Sequence, residues 1–121
     1  MADWYIEALD TYERAHKQYE KKYSNELTAV LDNLDRYFKI ISQGVHPQFI
    51  VAGYIHSEPK GVKALDQKGG KGNLKQTRLY IYPDVDAKKL FLITIGDKGS
   101  QKEDIRMCSN FVVKLKGVQN G

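Results

Sequence analysis

Cysteine is nearly missing from this sequence. Cys108 is the single one, which excludes an internal disulfide and any cysteine-pair zinc site. Long apolar runs are missing too: none approaches the ~20 residues that cross a bilayer. Residues 1–5 have neither a basic n-region nor an apolar h-region, so the expectation is a cytoplasmic protein with no membrane partner. The usual catalytic constellations are also absent. There is no HExxH, no CxxC, no GxxxxGK[ST] phosphate loop and no Gly-x-Ser-x-Gly elbow, and His16, His46 and His56 lack metal-ligand spacing. No metal and no cofactor are therefore expected.

What is present is one domain's worth of chain. Its 121 residues are 41% hydrophobic and 28% charged, with a net charge of +4. The charge is divided unevenly. Residues 1–59 hold six bases against nine acids, a net of −3, and residues 60–121 hold thirteen against six, a net of +7. Between Lys60 and Arg78, six bases face only Asp66. Such a segment suits a polyanion, nucleic acid first among them, although charge alone fits a solvated lysine-rich loop equally well.

Hydrophobic periodicity divides the chain into residues 1–44, 45–97 and 98–117 of a single domain. Tyr5, Ala8, Leu9, Tyr12, Ala15, Tyr19 and Tyr23 recur at helical steps, with Asp3 as a candidate N-cap. Leu27, Val30, Leu31, Leu34, Tyr37, Phe38 and Ile41 repeat the pattern after Ser24-Asn25, and Gly44 with Pro47 ends it. The pair reads as a helical hairpin. Phe49-Ile50-Val51-Ala52-Gly53-Tyr54-Ile55 is a short apolar run that fits either strand or helix, and Val62-Lys63-Ala64-Leu65 fits a short strand. Gly69-Gly70-Lys71-Gly72 marks a flexible loop. Residues 77–82 and 90–95 read as two strands of an antiparallel hairpin. Ser100 with Glu103 matches a capping box for a last helix, which Gly117 is expected to end. The predicted fold is α+β, an N-terminal helical hairpin on a small antiparallel sheet followed by a C-terminal helix.

One cluster carries chemistry in this scheme. Arg78 opens one strand and Lys98 follows the end of its neighbour, so antiparallel pairing brings them together on the face away from the helical hairpin. Lys102 opens the last helix beside them, and Lys68, Lys71 and Lys75 approach from the loop. Tyr80 and Tyr82 share the face of Arg78 and offer rings on which bases could stack. Cys108 falls on the apolar stripe of the last helix and reads as core.

Residues 62–113 resemble the RelE/ParE toxin superfamily. The likeness lies in Val62-Lys63-Ala64-Leu65, the basic glycine-containing loop, Arg78-Leu79-Tyr80-Ile81-Tyr82, and Leu92-Ile93-Thr94-Ile95-Gly96-Asp97-Lys98 ahead of a closing helix. Members of that superfamily open with a β-strand, whereas residues 3–10 here read as helix. The resemblance implies a toxin of a toxin–antitoxin system, of the RelE or HigB kind: a metal-independent, ribosome-dependent mRNA endonuclease neutralised by a cognate antitoxin. It implies catalytic roles for Arg78, Lys98 and Lys102, and RNA contacts through Lys68, Lys71, Lys75, Tyr80 and Tyr82. In such chemistry the 2′-hydroxyl attacks the adjacent phosphate while the protein orients the backbone, stabilises the phosphorane and moves protons. The alternatives are a ParE-like gyrase inhibitor that cleaves nothing, and a non-toxic RNA- or protein-binding module.

Overall fold

The structure, a computed structural model, describes residues 3–120, with side chains described as far as residue 118. It opens with a strand, β1 (Tyr5–Ala8), followed by helices α1 (Asp10–Lys22) and α2 (Ser24–Ser42). Strands β2 (Ile55–Ser57), β3 (Lys63–Asp66), β4 (Thr77–Asp84) and β5 (Lys89–Asp97) come next, and α3 (Gln101–Asn120) closes the chain. Single 3-10 turns sit at Pro47–Phe49 and Pro59–Gly61. The architecture is α+β, with a five-stranded sheet in the order β1-β5-β4-β3-β2.

The sheet is mixed, and here the expectation of an all-antiparallel sheet is corrected. β1 runs parallel to β5, with Tyr5 opposite Lys89 and Ala8 opposite Leu92, while the other pairings are antiparallel. Residues 5–8, expected as the start of the first helix, form this strand instead. All four are exposed, so burial gives no alternation to read; what makes them a strand is a partner more than eighty residues away. The helix begins only at Asp10, where Asp10 and Glu13 complement the positive end of its dipole.

Helices α1 and α2 are joined at Tyr23 and cover one face of the sheet. Their buried stripe of Tyr12, Tyr19, Leu27, Val30, Leu34, Tyr37 and Ile41 meets Leu65, Leu79, Ile81, Leu90, Leu92 and Ile95. β5 supplies three of these against its own alternation, because the register slips between Tyr80 and Ile81. This bulge leaves Ile93 without a partner on β4 and turns it to the other face, so that Leu92 and Ile95 share one core. On the second face, Val62, Ala64, Tyr80 and Ile93 pack beneath Cys108 and Val112 of α3.

The apolar run from Phe49 to Ile55 is neither a strand nor a helix throughout. It is the end of a 3-10 turn, a buried Ile50 and a turn at Gly53-Tyr54, closed by the Ile55 amide on the Ala52 carbonyl (3.0 Å), that leads into β2. Gly44, at φ +94, lets the chain leave α2, as expected of a glycine after a helix. Gly117 does not end α3, which continues to Asn120. The capping box is likewise replaced. The Ser100 hydroxyl donates to Asp104 Oδ2 (2.7 Å) and accepts from the Asp97 amide (3.1 Å), while Asp97 Oδ1 accepts from the Ser100 amide (3.1 Å). Glu103 pairs with Arg106 instead, at 3.3 Å.

Candidate functional site

A cleft of about 540 Å³ opens where the carboxyl end of β5 passes between α1 and the first turn of α3. Three cations line it: Arg14 and Lys22 from α1 and Lys75 from the loop before β4. Arg14, Gln18 and Lys22 lie four residues apart, which places them along one stripe of the helix. The floor is Thr94-Ile95-Gly96-Asp97 of β5, with Ser100 and Asp104 at the α3 side. Gly96 is required here, because a Cβ at this position would collide with the Asp104 carboxylate and the Ser100 hydroxyl.

Lys75 is the most constrained cation in the cleft. Its Nζ lies 3.2 Å from Asp97 Oδ2 and 3.4 Å above the centre of the Tyr23 ring, with Tyr19 at 5.5 Å. Its amide donates to Glu26 Oε2 at 3.0 Å. The glycine-rich loop is therefore fastened at its end. It is also held at its start, where Gly70 lies so near Ala29 and Leu74 that a Cβ would reach within 2.6 Å of Ala29. The hydrogen bond from Lys75 holds the Asp97 carboxyl below its ordinary range. Asp104 is moved the other way, by burial first and then by the neighbouring Asp97 and Glu103 charges, against the lowering effect of Ser100. Burial, followed by Asp97 and Asp104, also raises the Tyr19 hydroxyl. The cleft thus holds two carboxyls pushed in opposite directions, Asp97 by its lysine partner and Asp104 by burial.

The eight residues singled out from the sequence do not converge. Lys75 lines the cleft, and Lys98 and Lys102 stand exposed on the turn and first helical turn beside it. Among the described residues neither of these two makes an ion pair. Lys71 is exposed on the loop. Lys68 turns back toward β2 and β3, with Nζ 2.7 Å from the Gly53 carbonyl and 3.7 Å from Asp66 Oδ2.

Arg78 is placed otherwise than expected. The face it occupies is not open but covered by α3, and its guanidinium lies 3.8 Å from Glu58 Oε2, both side chains largely buried (18% and 12% exposed). It does not line the cleft. Tyr80 is fully buried in the same layer, so it has no surface on which a base could stack. Tyr82 is half-buried, leans on Phe91 (6.5 Å between ring centres) and lines a different groove at the far end of α3. Sequence reasoning erred here because strand alternation names a face without saying what covers it.

Asp97, Asp104, Tyr19 and Tyr23 were not foreseen as site residues. The signal for Asp97 was Gly96-Asp97-Lys98-Gly99-Ser100, a turn whose polar side chains must satisfy the first amides of α3. Cys108 is buried and its thiol is pushed up to about 12, chiefly by burial, so it is an inert core residue as expected. The His56 ring bonds Asp66 Oδ2 at 2.7 Å and ties β2 to β3, a structural role. Among the described residues no three His, Cys, Asp or Glu side chains gather to hold a metal, and no helix is long and apolar enough to cross a membrane.

The chain matches no protein-family model, no curated protein and no solved structure.

Proposed function

We propose that the chain is a RelE-like toxin that acts on RNA at the cleft between α1 and α3, as a metal-independent endoribonuclease held in check by an antitoxin. The observation that carries the reading is the collection of cations around one opening, namely Arg14, Lys22 and Lys75 in the cleft and unpaired Lys98 and Lys102 on its adjoining turn. A cationic rim of this kind attracts a phosphodiester backbone and lowers the cost of charge on a phosphorane. The opening strand β1 removes one difference from the superfamily, whose members begin with a strand.

In this reading the 2′-hydroxyl forms a bond to phosphorus as the bond from phosphorus to the 5′-oxygen breaks, leaving a 2′,3′-cyclic phosphate and a 5′-hydroxyl. Asp97, kept ionised by Lys75, takes the 2′-hydroxyl proton. The departing oxygen takes its proton from the Lys98 ammonium on the exposed turn beside the cleft. Lys98 and Lys102 hold the phosphate oxygens. Arg78 has no part in the chemistry; it is a structural ion partner of Glu58.

The test is induction of the protein in a bacterium with mapping of mRNA 5′ ends. Discrete new ends are expected, reduced about 100-fold by Lys98→Ala/Lys102→Ala, the size of effect seen when a charge-stabilising group is removed. Intact mRNA and normal growth during wild-type induction would overturn the reading. One observation favours the gyrase-inhibitor alternative: Lys75, the deepest cation, is already neutralised by Asp97. Loss of supercoiling with intact mRNA would select it.

A further inference from the structure

A second groove, of about 250 Å³, lies at the other end of α3, where the helix passes the β4–β5 hairpin. We propose that it binds the backbone of single-stranded RNA, with Tyr82 as a stacking surface. Two segments distant in sequence bring three lysines to it, Lys60 and Lys63 from the turn before β3 and its first residue and Lys116 from near the end of α3, with His46, whose Nδ1 accepts from the Gln48 amide at 3.1 Å, beside them. Among the described residues no carboxylate lines it, although the chain has fifteen acidic residues. The Tyr82 hydroxyl is raised by burial and then by Asp84, the last residue of β4, and Asp86 in the hairpin turn, neither of which is part of the groove's lining.

Like charges repel, so a fold that gathers them without acids is arranged for an anion. Lys60 and Lys116 form no ion pair among the described residues, and Lys63 is engaged only by the Ser57 hydroxyl, at 3.0 Å. Lys60 also sits in the left-handed region at φ 64, followed by Gly61 at φ 82. A lysine held there is strained, an outlier of the kind that clusters at binding sites. Tyr82 supplies what a bare phosphate site would not need: a half-buried ring backed by Phe91 and lining the groove. Cations beside an aromatic ring are the recognition chemistry of unpaired nucleic acid. Along α3 the groove is ~22 Å from the cleft, taking 1.5 Å per residue from Gln101 to Lys116.

The inference concerns the same polymer as the proposed function but rests on binding, not cleavage. The experiment titrates the whole protein into a fluorescein-labelled oligouridine of about 12 nucleotides and follows anisotropy at several salt concentrations. Lys60→Glu/Lys63→Glu/Lys116→Glu should weaken binding at least about tenfold and reduce the salt slope by about 2, as expected for three lost phosphate contacts. Tyr82→Ala should weaken binding about tenfold without changing the slope. Lys60→Gln/Lys116→Gln, at two exposed sites, repeats the test should Lys63→Glu disturb β3, with a slope smaller by about 1.4. Wild-type affinity and slope in both lysine variants would overturn the proposal, whether or not the chain cuts RNA. Affinity lost only in Lys98→Ala/Lys102→Ala would also overturn it, while leaving the cleft reading in place. A groove that binds in a chain that cleaves nothing would refute the nuclease reading alone.

Discussion

Against α1 and α2 the sheet presents Leu65, Leu79, Ile81, Leu90, Leu92 and Ile95, an apolar surface in which the Tyr37 hydroxyl is a lone unpartnered polar atom. Against α3 it presents Val62, Ala64, Tyr80 and Ile93 together with Arg78, and above them lie Glu58 and Asp104. Glu58 Oε2, Arg78 Nε and the Tyr80 hydroxyl are buried there without hydrogen-bond partners. The two faces have different duties. The first gains from every methylene it hides, whereas the second holds charges at the cost of their hydration, carries the groove at one end and shares the cleft with α1 at the other.

Substitutions on the two faces should separate these duties. The largest effect is expected from Leu79→Ala on the first face, a loss of about 3 kcal/mol, since Leu79 is fully buried in the larger core; urea denaturation would measure it. On the second face, Arg78→Met should cost about 2 kcal/mol by leaving Glu58 buried and unpaired. That is below the ~3–5 kcal/mol of a fully buried pair, because the 3.8 Å ion pair keeps some solvent. Arg78→Met/Glu58→Leu should recover most of that loss, since a pair replaced by apolar groups is often neutral. A double variant as unstable as the single one would mean that the pair does more than balance itself. Gly96→Ala should cost about 1–3 kcal/mol through the forced displacement of Asp104 and Ser100, with α3 helicity followed by circular dichroism.

A smaller, pH-dependent effect follows from the two carboxyls of the cleft, and its sign differs between them. Asp97 titrates below 3.8 in the folded chain, so its contribution is present above 3.8 and lost as pH falls below it. Asp97→Asn should therefore be less stable than the wild type at pH 7, and the gap should close in acid. Asp104 titrates above 3.8, so its ionisation opposes folding at neutral pH and the opposition fades as pH falls through the folded value. Asp104→Asn should be no less stable than the wild type at pH 7. Thermal melts at pH 7 and pH 3 would check both. Smallest of all, Lys98→Ala and Lys102→Ala should change stability by no more than ~0.5 kcal/mol, because both are exposed and unpaired. A larger change would mean that their loss of activity reports on folding.

Most of the first face was legible in the sequence. The helical stripes from Tyr12 to Ile41 and the alternation of Leu79 with Ile81 appear there because burial against one surface imposes a period. β1 was not legible, as its four residues are exposed and their strand conformation depends on β5. Nor was the bulge at Ile93, since an extra residue leaves no local mark among β-prone neighbours. The candidate site was legible only as an excess of cations. Lys75, Lys98 and Lys102 were found by their charge, but charge does not reveal a partner, and Lys75 has one in Asp97.

The amino-acid sequence by itself determined the helices, the β4–β5 hairpin, the single inert thiol and the basic character of the second half, because each depends on neighbours a few residues away or on composition. Tertiary structure decided which cations stayed free. Glu58 removed Arg78 from the surface, α3 covered Tyr80, and the closing of α1 against β5 made a cleft from residues that no local pattern connects. The physical reason is that solvation is a property of the assembled surface, so a side chain's availability is settled only when every element that can cover it is in place.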